Sequence, residues 1–271
     1  MPALGTRPFA ELRRRDLRDV VNAIIERGRP AATHKVREIG KRIATWAADD
    51  EELIDHNPFL GGKNPVRLIS RDRVLSAAEI AALWRACEQM GPPFGAMIML
   101  LLATLQRRGE VTWMENAELD LERRLWTIPA ARAKNRKEHF VPLSSLALEI
   151  LAGEPLIDER YVFSTRENTR VSGFSKAKRR ADELSGVADW RLHDLRRTAT
   201  TGMAELKVDR RVISKLLNHT PRGVIGVTAI YDRFEYLDER AAAMELWAER
   251  LRAIVNPPPA TIVALRAGAA A

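Results

Sequence analysis

Apolar residues recur at helical spacing through the first part of the chain. One apolar stripe predicts a helix over residues 16–27, which Gly28 and Pro30 end. Thr33 is a candidate cap for a second helix that reaches about Asp49. The buried face of this second helix is predicted to consist of Val36, Ile39, Ile43, Trp46 and Ala47.

The pattern changes at a stretch rich in proline and glycine. The segment NPFLGGKNP at residues 57–65 contains two of each and predicts a linker. Beyond it, Ser76 and Glu79 have the spacing of a capping box in front of an apolar helix that ends near Met90. Residues 94–105 are almost all apolar, so the helix that they predict is expected to lie in the core.

A change to strand-forming residues marks the middle of the chain. Residues 125–128 and 140–143 are rich in strand formers and flank the polar turn AKNRKE, which predicts a hairpin. From residue 144 onward the chain is predicted to be mostly helical. Asp209 is a candidate cap for a helix over 210–217, and a long amphipathic helix is predicted over 237–254.

Together these elements predict a mainly α-helical protein with a small antiparallel β-sheet, an α+β fold. A chain of 271 residues can form one large domain or two modest ones. We place a helical domain at residues 1–60, a linker at 61–72, a larger domain at 73–255 and a C-terminal tail at 256–271.

The distribution of charge indicates a polyanionic partner. The formal net charge is +8, and the pI is about 10.0. Residues 1–42 carry eleven lysines and arginines against five acidic residues, a local excess of six positive charges. A field concentrated in this way favours contact with phosphates.

The other compositional features exclude several kinds of site. Cys87 is the only cysteine, so an intrachain disulfide and a cysteine-based zinc site are excluded, and Cys87 is expected in the core. No apolar run reaches the roughly 18 residues of a membrane span, so no membrane partner is expected. The N-terminus MPALGTRPF lacks a signal-peptide pattern, and we expect a cytoplasmic protein.

Six polar side chains carry the candidate chemistry. They are Arg107 in QRRGEV, Lys134 in AKNRKEHFVPLS, His193 and Arg196 in WRLHDLRRT, His219 in LLNHT, and Tyr231 in AIYDRF. Arginine, lysine and histidine can hold a phosphate and its developing negative charge. A tyrosine hydroxyl can act as a covalent nucleophile. No metal-ligand cluster accompanies them, so metal and cofactor are both expected to be absent.

Each of the six also has an ordinary structural interpretation. Lys134 could be an exposed turn lysine, Arg107 a surface arginine at a helix end, and Arg196 a partner of Asp194. Tyr236 competes with Tyr231 as the nucleophile, although the spacing from His219 favours Tyr231. The six are specific only as a set.

The set resembles the tyrosine recombinases, the family of phage and genomic-island integrases. Order, residue types and rough spacing agree over residues 70–255, and more weakly over 5–60. The resemblance implies a catalytic domain preceded by a partial helical core-binding domain. Two departures are Asn218, where the family often has glycine, and PRGVIG between His219 and Tyr231.

The resemblance also implies the role of each residue. Tyr231 would form a 3′-phosphotyrosine, and Lys134 would protonate the leaving 5′ oxygen. Arg107 and Arg196 would hold the phosphate, with Glu110 orienting Arg107. His193 and His219 would donate hydrogen bonds or move the tyrosine proton, and neither metal nor ATP would be needed.

The second helix is the candidate DNA contact of the N-terminal domain. Its basic residues add to the positive charge that dominates residues 1–42, and this favours contact with DNA. The alternative is that they form an ordinary charged face in contact with solvent. The candidate contacts are Thr33, His34, Lys35, Arg37 and Lys41.

The implied activity is site-specific DNA recombination, by a bacterial protein that acts at the nucleoid. The alternatives are a type IB topoisomerase-like relaxing enzyme and a truncated integrase that binds DNA but recombines poorly. The implied partner is double-stranded DNA, bound as a homotetramer on paired sites, with a monomer expected without DNA. The tail after Pro259 is expected to act between subunits. MPALGTRPFAELRRRDL resembles the middle of a core-binding domain, so a shortened integrase is expected.

Overall fold

The computed structural model describes residues 4–5, 7–67, 71–219 and 236–257, and the chain divides into two units between Arg71 and Asp72. Elements are numbered within the described residues. The N-terminal unit contains a short 3-10 turn at Phe9–Glu11, α1 (Arg14–Glu26) and α2 (Ala32–Thr45). A π-helical turn, Trp46–Asp50, continues α2. The two predicted helices are therefore confirmed.

The N-terminal unit has a small core. Leu12, Leu17, Ala44 and Phe59 are buried together between α1, α2 and the following segment. Asn57 fastens that segment to α2, because its Nδ2 donates to Lys41 O (2.9 Å) and Thr45 Oγ1 (2.8 Å). The predicted linker over 57–65 therefore begins inside this unit.

The predicted buried face of α2 is wrong at three positions. Ala47 is buried, but Ile39, Ile43 and Trp46 are 43%, 47% and 46% exposed. Thr33 does not cap α2 either. It is fully buried in the first turn, and its Oγ1 donates to Pro30 O (2.6 Å). The small core contacts one side of α2 only, so the apolar stripe extends beyond the surface that the unit covers.

The C-terminal unit is built from eight described helices and one sheet. The helices are α3 (Ala77–Met90), α4 (Phe94–Thr104), α5 (Arg108–Thr112), α6 (Ser145–Ala152), α7 (Phe174–Ser185), α8 (Leu192–Glu205), α9 (Arg210–Leu216) and α10 (Leu237–Val255). The strands are β1 (Leu119–Asp120), β2 (Leu125–Ile128) and β3 (His139–Pro142), all antiparallel in the order β1-β2-β3. This confirms a mainly helical fold with a small antiparallel sheet.

The apolar helix α4 forms the centre of this unit. It is buried along nearly its whole length and packs against α3, α6, α8 and α10. Trp247 of α10 closes the packing, since its Nε1 donates to Leu102 O (3.0 Å). Gly202 of α8 permits this approach, because a Cβ at that position would lie 2.3 Å from the Trp247 ring. Helix α10 thereby holds α4 and α8 together, and it also packs against α9.

None of the described helices combines the length and the apolarity that crossing a membrane requires.

Candidate active site

Arg196 projects from α8 into the interior and is only 5% exposed. Its Nη1 donates to Leu105 O at the end of α4 (2.5 Å), and its Nη2 donates to Leu217 O just after α9. Burial, together with the positive charge of Arg107, lowers the pKa of Arg196 to about 10. The guanidinium therefore remains charged at neutral pH, and the ends of two helices hold it.

Arg107 lies beside Arg196 in the connection between α4 and α5. Its Nη1 donates to Glu110 Oε1 (2.8 Å), and its backbone N–H donates to Glu110 Oε2 (2.8 Å). Glu110 is almost completely buried, so it orients Arg107 as the sequence led us to expect. Arg107 Nη2 also reaches Leu217 O (3.5 Å), so both guanidiniums meet at the same carbonyl.

The carbonyl end of α9 binds two further side chains that sequence reasoning missed. Gln106 Nε2 donates to Leu216 O (2.9 Å), and His139 Nε2 lies 3.2 Å from both Leu216 O and Gln106 Oε1. Both neighbours of His139 Nε2 are oxygen acceptors, so this nitrogen carries the proton. Burial and nearby arginines lower the pKa of His139 to about 3, which keeps the ring neutral.

These contacts form a network at the last turn of α9, where the helix dipole favours positive charge. We call it the carbonyl hub: Leu216 O and Leu217 O with the side chains of Gln106, Arg107, His139 and Arg196. A weak signal for Gln106 was its place directly before Arg107. A weak signal for His139 was its place at the start of an apolar strand.

His193 and His219 lie within the electrostatic field of the two arginines. Partial burial lowers the pKa of His193, and Arg196 and Arg197 lower it further. Partial burial also lowers the pKa of His219, with further contributions from Arg196, Arg107, His193 and Lys134. Both imidazoles are therefore neutral at pH 7, the form that can accept a proton or donate a hydrogen bond.

Lys134 is exposed in the turn between β2 and β3. Its charge acts on His219, which places the turn near the other candidate residues. Ala133 is buried on one side of it, and Asn135 on the other side bonds to Asn218. The structure thus brings together five of the six predicted residues: Arg107, Lys134, His193, Arg196 and His219.

The sixth residue, Tyr231, lies outside the described residues, as does the tail after Pro257. Tyr236 is described and precedes α10, where Lys215 Nζ lies 5.9 Å from the centre of its ring.

The structure corrects one of the predicted DNA contacts of α2. Thr33 is fully buried and donates to Pro30 O, so its side chain cannot reach a ligand outside the unit. His34 Nε2 is 2.7 Å from Val66 O, and Arg37 Nη2 donates to Gly62 O (2.9 Å). Lys35 is exposed and Lys41 is partly exposed.

Within the described part of the chain, no three or more His, Cys, Asp or Glu side chains are grouped closely enough to hold a metal ion.

Residues 73–234 match the phage integrase family. The chain belongs to this family. Its curated relatives include the prophage integrases IntZ and IntA of Escherichia coli K12, to which it is 27% and 28% identical. These alignments cover 94% and 93% of this chain but 63% and 62% of the relatives, so the chain spans less than two thirds of their length.

Solved structures show the same fold at lower sequence identity. A lambda integrase fragment of residues 75–356, a dimer bound to a COC′ core site, has a TM-score of 0.64 at 19% identity. That alignment covers 83% of this chain and 82% of the fragment. The Tn1549 transposon integrase bound to circular-intermediate DNA has a TM-score of 0.58 at 16% identity, covering 89% and 88%.

Proposed function

We propose that this protein is a site-specific DNA recombinase that cleaves and rejoins DNA through Tyr231. The observation that carries the proposal is the convergence of Arg107 and Arg196 on Leu217 O, with two neutral histidines in the same field. A guanidinium has five N–H donors, so the two carbonyl bonds of Arg196 leave donors for phosphate oxygens. Membership of the phage integrase family supports the same reaction.

The Tyr231 hydroxyl attacks the scissile phosphorus, and the bond from phosphorus to the 5′ oxygen breaks. The tyrosine proton passes to a neutral imidazole, His193 or His219. Lys134 donates a proton to the leaving oxygen, so the products are a 3′-phosphotyrosine and a free 5′ hydroxyl. Attack by a 5′ hydroxyl reverses the step and rejoins the strand without ATP.

The two arginines stabilise the charge that develops on the phosphate during this attack. Their donors are fixed before the substrate binds, because helix ends and Glu110 already orient both guanidiniums. The pKa of Arg196 stays well above neutral, so the charge is present at working pH. Electrostatic stabilisation by side chains is therefore the contribution of this site.

The proposed partner is double-stranded DNA in the bacterial cytoplasm. The exposed Lys35 of α2 and the net charge of +8 support phosphate contacts. A lambda integrase tetramer has been seen bound to a Holliday junction, and we propose a tetramer on paired sites here too. In this proposal residues 73–255 are the catalytic domain, and the tail at 256–271 links neighbouring subunits.

Covalent trapping tests the proposal. The protein is incubated with nicked duplexes whose central sequence is randomised, and covalent complexes are isolated on a denaturing gel and sequenced. The wild type should give a shifted band enriched in one sequence, also in the presence of EDTA. Tyr231→Phe should abolish the band, whereas the control Tyr236→Phe should keep it.

A band that disappears with Tyr236→Phe and persists with Tyr231→Phe would reassign the nucleophile. The enriched duplex, placed as paired sites on one plasmid, then distinguishes recombination from relaxation. Recombinant products support a recombinase, whereas relaxation without recombinants supports a topoisomerase-like enzyme. Absence of any covalent complex would remove the proposed activity.

A further inference from the structure

Two asparagines join the turn that carries Lys134 to the turn that carries His219. Asn135 Nδ2 donates to Asn218 Oδ1 (2.6 Å), and Asn218 Nδ2 donates to Asn135 Oδ1 (3.3 Å). The pair is reciprocal, with each amide acting as both donor and acceptor. Asn135 directly follows Lys134, and Asn218 directly precedes His219. The pair therefore links two candidate site residues through their immediate neighbours.

The Asn218 end of the pair is anchored to α9. Its backbone N–H donates to Lys215 O (3.0 Å), and the next N–H, of His219, donates to Ser214 O (3.1 Å). Asn218 has a φ of 46°, in the left-handed region that glycine and asparagine tolerate best. The backbone would accept glycine here, so the turn itself does not require a side chain. The asparagine side chain instead provides the bond to the hairpin.

The Asn135 end lies in a turn that its own side chain supports. Asn135 Oδ1 also accepts from Lys137 N (3.2 Å), and Arg136 between them has a φ of 56°. Lys134 itself is exposed, and its ammonium stands on a flexible four-carbon chain. Among the described residues, no hydrogen bond or ion pair of its own holds the Lys134 ammonium in place. Its position therefore depends on how its backbone is held.

We propose that Asn135 and Asn218 are positioning residues that hold Lys134 over the scissile phosphate. This inference rests on the proposed function and identifies the two side chains that keep the general acid in position. The residue after Leu217, whose carbonyl binds both arginines, forms one half of the pair. The turn that carries Lys134, the proton donor, and the two phosphate-binding arginines are therefore all bonded to the same end of α9. Loss of the pair would loosen the Lys134 turn without removing any group that contacts substrate.

The decisive variant is Asn218→Gly, which deletes the side chain and suits the positive φ. Cleavage is measured in single turnover on two nicked duplexes of the enriched sequence. One has the ordinary 5′ oxygen at the scissile bond, and the other has a bridging 5′ sulfur. Since a thiol has a pKa near ~8.5, the sulfur leaves without a proton and needs no general acid.

We expect Asn218→Gly to cleave the oxygen substrate about tenfold more slowly, because one or two hydrogen bonds that place the acid are lost. The sulfur substrate should be cleaved at about the wild-type rate. Lys134→Ala should show the same pattern with a larger defect on oxygen. Asn135→Ala should also slow only the oxygen reaction, and the double variant should be no slower than the worse single variant, because the two residues share one contact.

The matched control is Asn168→Gly, which makes the same replacement at an exposed residue with a φ of 57°. It should leave both reactions unchanged. An equal loss on both substrates in Asn218→Gly would show a general structural defect and overturn the proposal. Unchanged cleavage of the oxygen substrate would overturn it as well.

Amide hydrogen exchange separates this inference from the proposed function. Residues 129–138 should exchange faster in Asn218→Gly, and α4 and α8 should not change. If the wild type cleaves neither substrate, the proposed function fails, and the role of the pair in catalysis fails with it. If the wild type cleaves both and exchange at 129–138 is unaltered, only the positioning role is overturned.

Discussion

The N-terminal unit and the C-terminal unit bury polar side chains in different ways. In the N-terminal unit, Thr33 and Asn57 bond to nearby parts of their own fold and tie local segments together. In the C-terminal unit, the partly buried Arg107 and the buried His139 and Arg196 bond to the same end of α9 from three other parts of the chain. Convergence of buried polar groups, rather than their presence, therefore marks the candidate active site.

The apolar cores of the two units also differ, in how completely they bury the apolar side chains of their helices. The C-terminal unit encloses α4 almost completely, whereas the N-terminal unit leaves three large side chains of α2 and its π-helical turn partly exposed: Ile39, Ile43 and Trp46. A charged group such as Arg196 can be held in place only where packing on every side is extensive. The large core is thus the condition for holding the two arginines proposed to bind phosphate in a fixed position.

The largest effect is expected at Arg196. Arg196→Lys keeps the charge but loses the planar fork, so it cannot span Leu105 O and Leu217 O and still face a phosphate. We expect cleavage to fall by on the order of a hundredfold or more while DNA binding persists. The neighbouring Arg197→Lys, which alters a salt bridge to Asp194, is the control and should cleave near the wild-type rate.

The rate of cleavage of the enriched duplex, followed on gels, measures this effect. A melting curve for each variant shows whether its fold is retained. Cleavage at the wild-type rate by Arg196→Lys would remove the contrast between converging and local polar groups, because the buried arginine of the carbonyl hub would then be dispensable.

The next effect is expected at His139, whose Nε2–H bonds to the carbonyl hub. His139→Phe leaves Leu216 O and Gln106 Oε1 without this donor, and we expect a loss of about 2–3 kcal/mol in unfolding free energy. Cleavage should also slow, since the hub holds Arg196. Denaturant unfolding and single-turnover cleavage measure the two effects, and the exposed His56→Phe serves as control.

The pKa of His139 adds a pH signature. The folded ring stays neutral down to about pH 3, whereas the unfolded ring takes up a proton below about 6.5. Wild-type stability should therefore fall as the pH drops from 6.5 towards 3, and His139→Phe should lack this part of the fall. The same acid sensitivity in both proteins would contradict the buried neutral ring.

An effect confined to the N-terminal unit is expected at Asn57. Asn57→Ala removes bonds to Lys41 O, Thr45 Oγ1 and Phe59 N and should cost about 2 kcal/mol. Amide exchange should quicken across residues 7–67 and stay unchanged in α4 and α8. The exposed Asn22→Ala is the control. Faster exchange in α4 would show that the two units do not respond separately.

The smallest effect is expected at Glu154, a half-buried carboxyl group of the C-terminal unit outside the hub. Burial raises the pKa of Glu154 to about 7, and its Oε1 has no hydrogen-bond partner within the described residues. Since the folded pKa lies above the unfolded value of 4.5, the stability contribution is full below about pH 4.5 and is lost as the pH rises through about 7.

Glu154→Gln should therefore stabilise the protein at pH 8 by about 1 kcal/mol, after discounting for partial exposure, and hardly at all at pH 4.5. Melting temperatures of both proteins at the two pH values measure this. The same difference at both pH values would mean that titration of Glu154 does not affect stability.

The sequence by itself determined the elements and the chemistry of the candidate site. Periodicity and caps predicted α1, α3, α4 and the hairpin, because these signals act within a few residues. The buried α4 followed directly from its unbroken apolar run. Five of the six predicted site residues lie together in the structure, and the sequence singled them out as a set through its resemblance to the motifs of the tyrosine recombinases.

Tertiary structure alone decided which side chains meet. Arg107 and Leu217 are 110 positions apart, and Asn135 and Asn218 are 83 apart, so no local pattern encodes either pair. The exposure of Ile43 and the burial of Thr33 depend on how much of α2 the small core covers. Local propensity fixes an element and its apolar face, but contacts between distant elements arise only when the core packs them together.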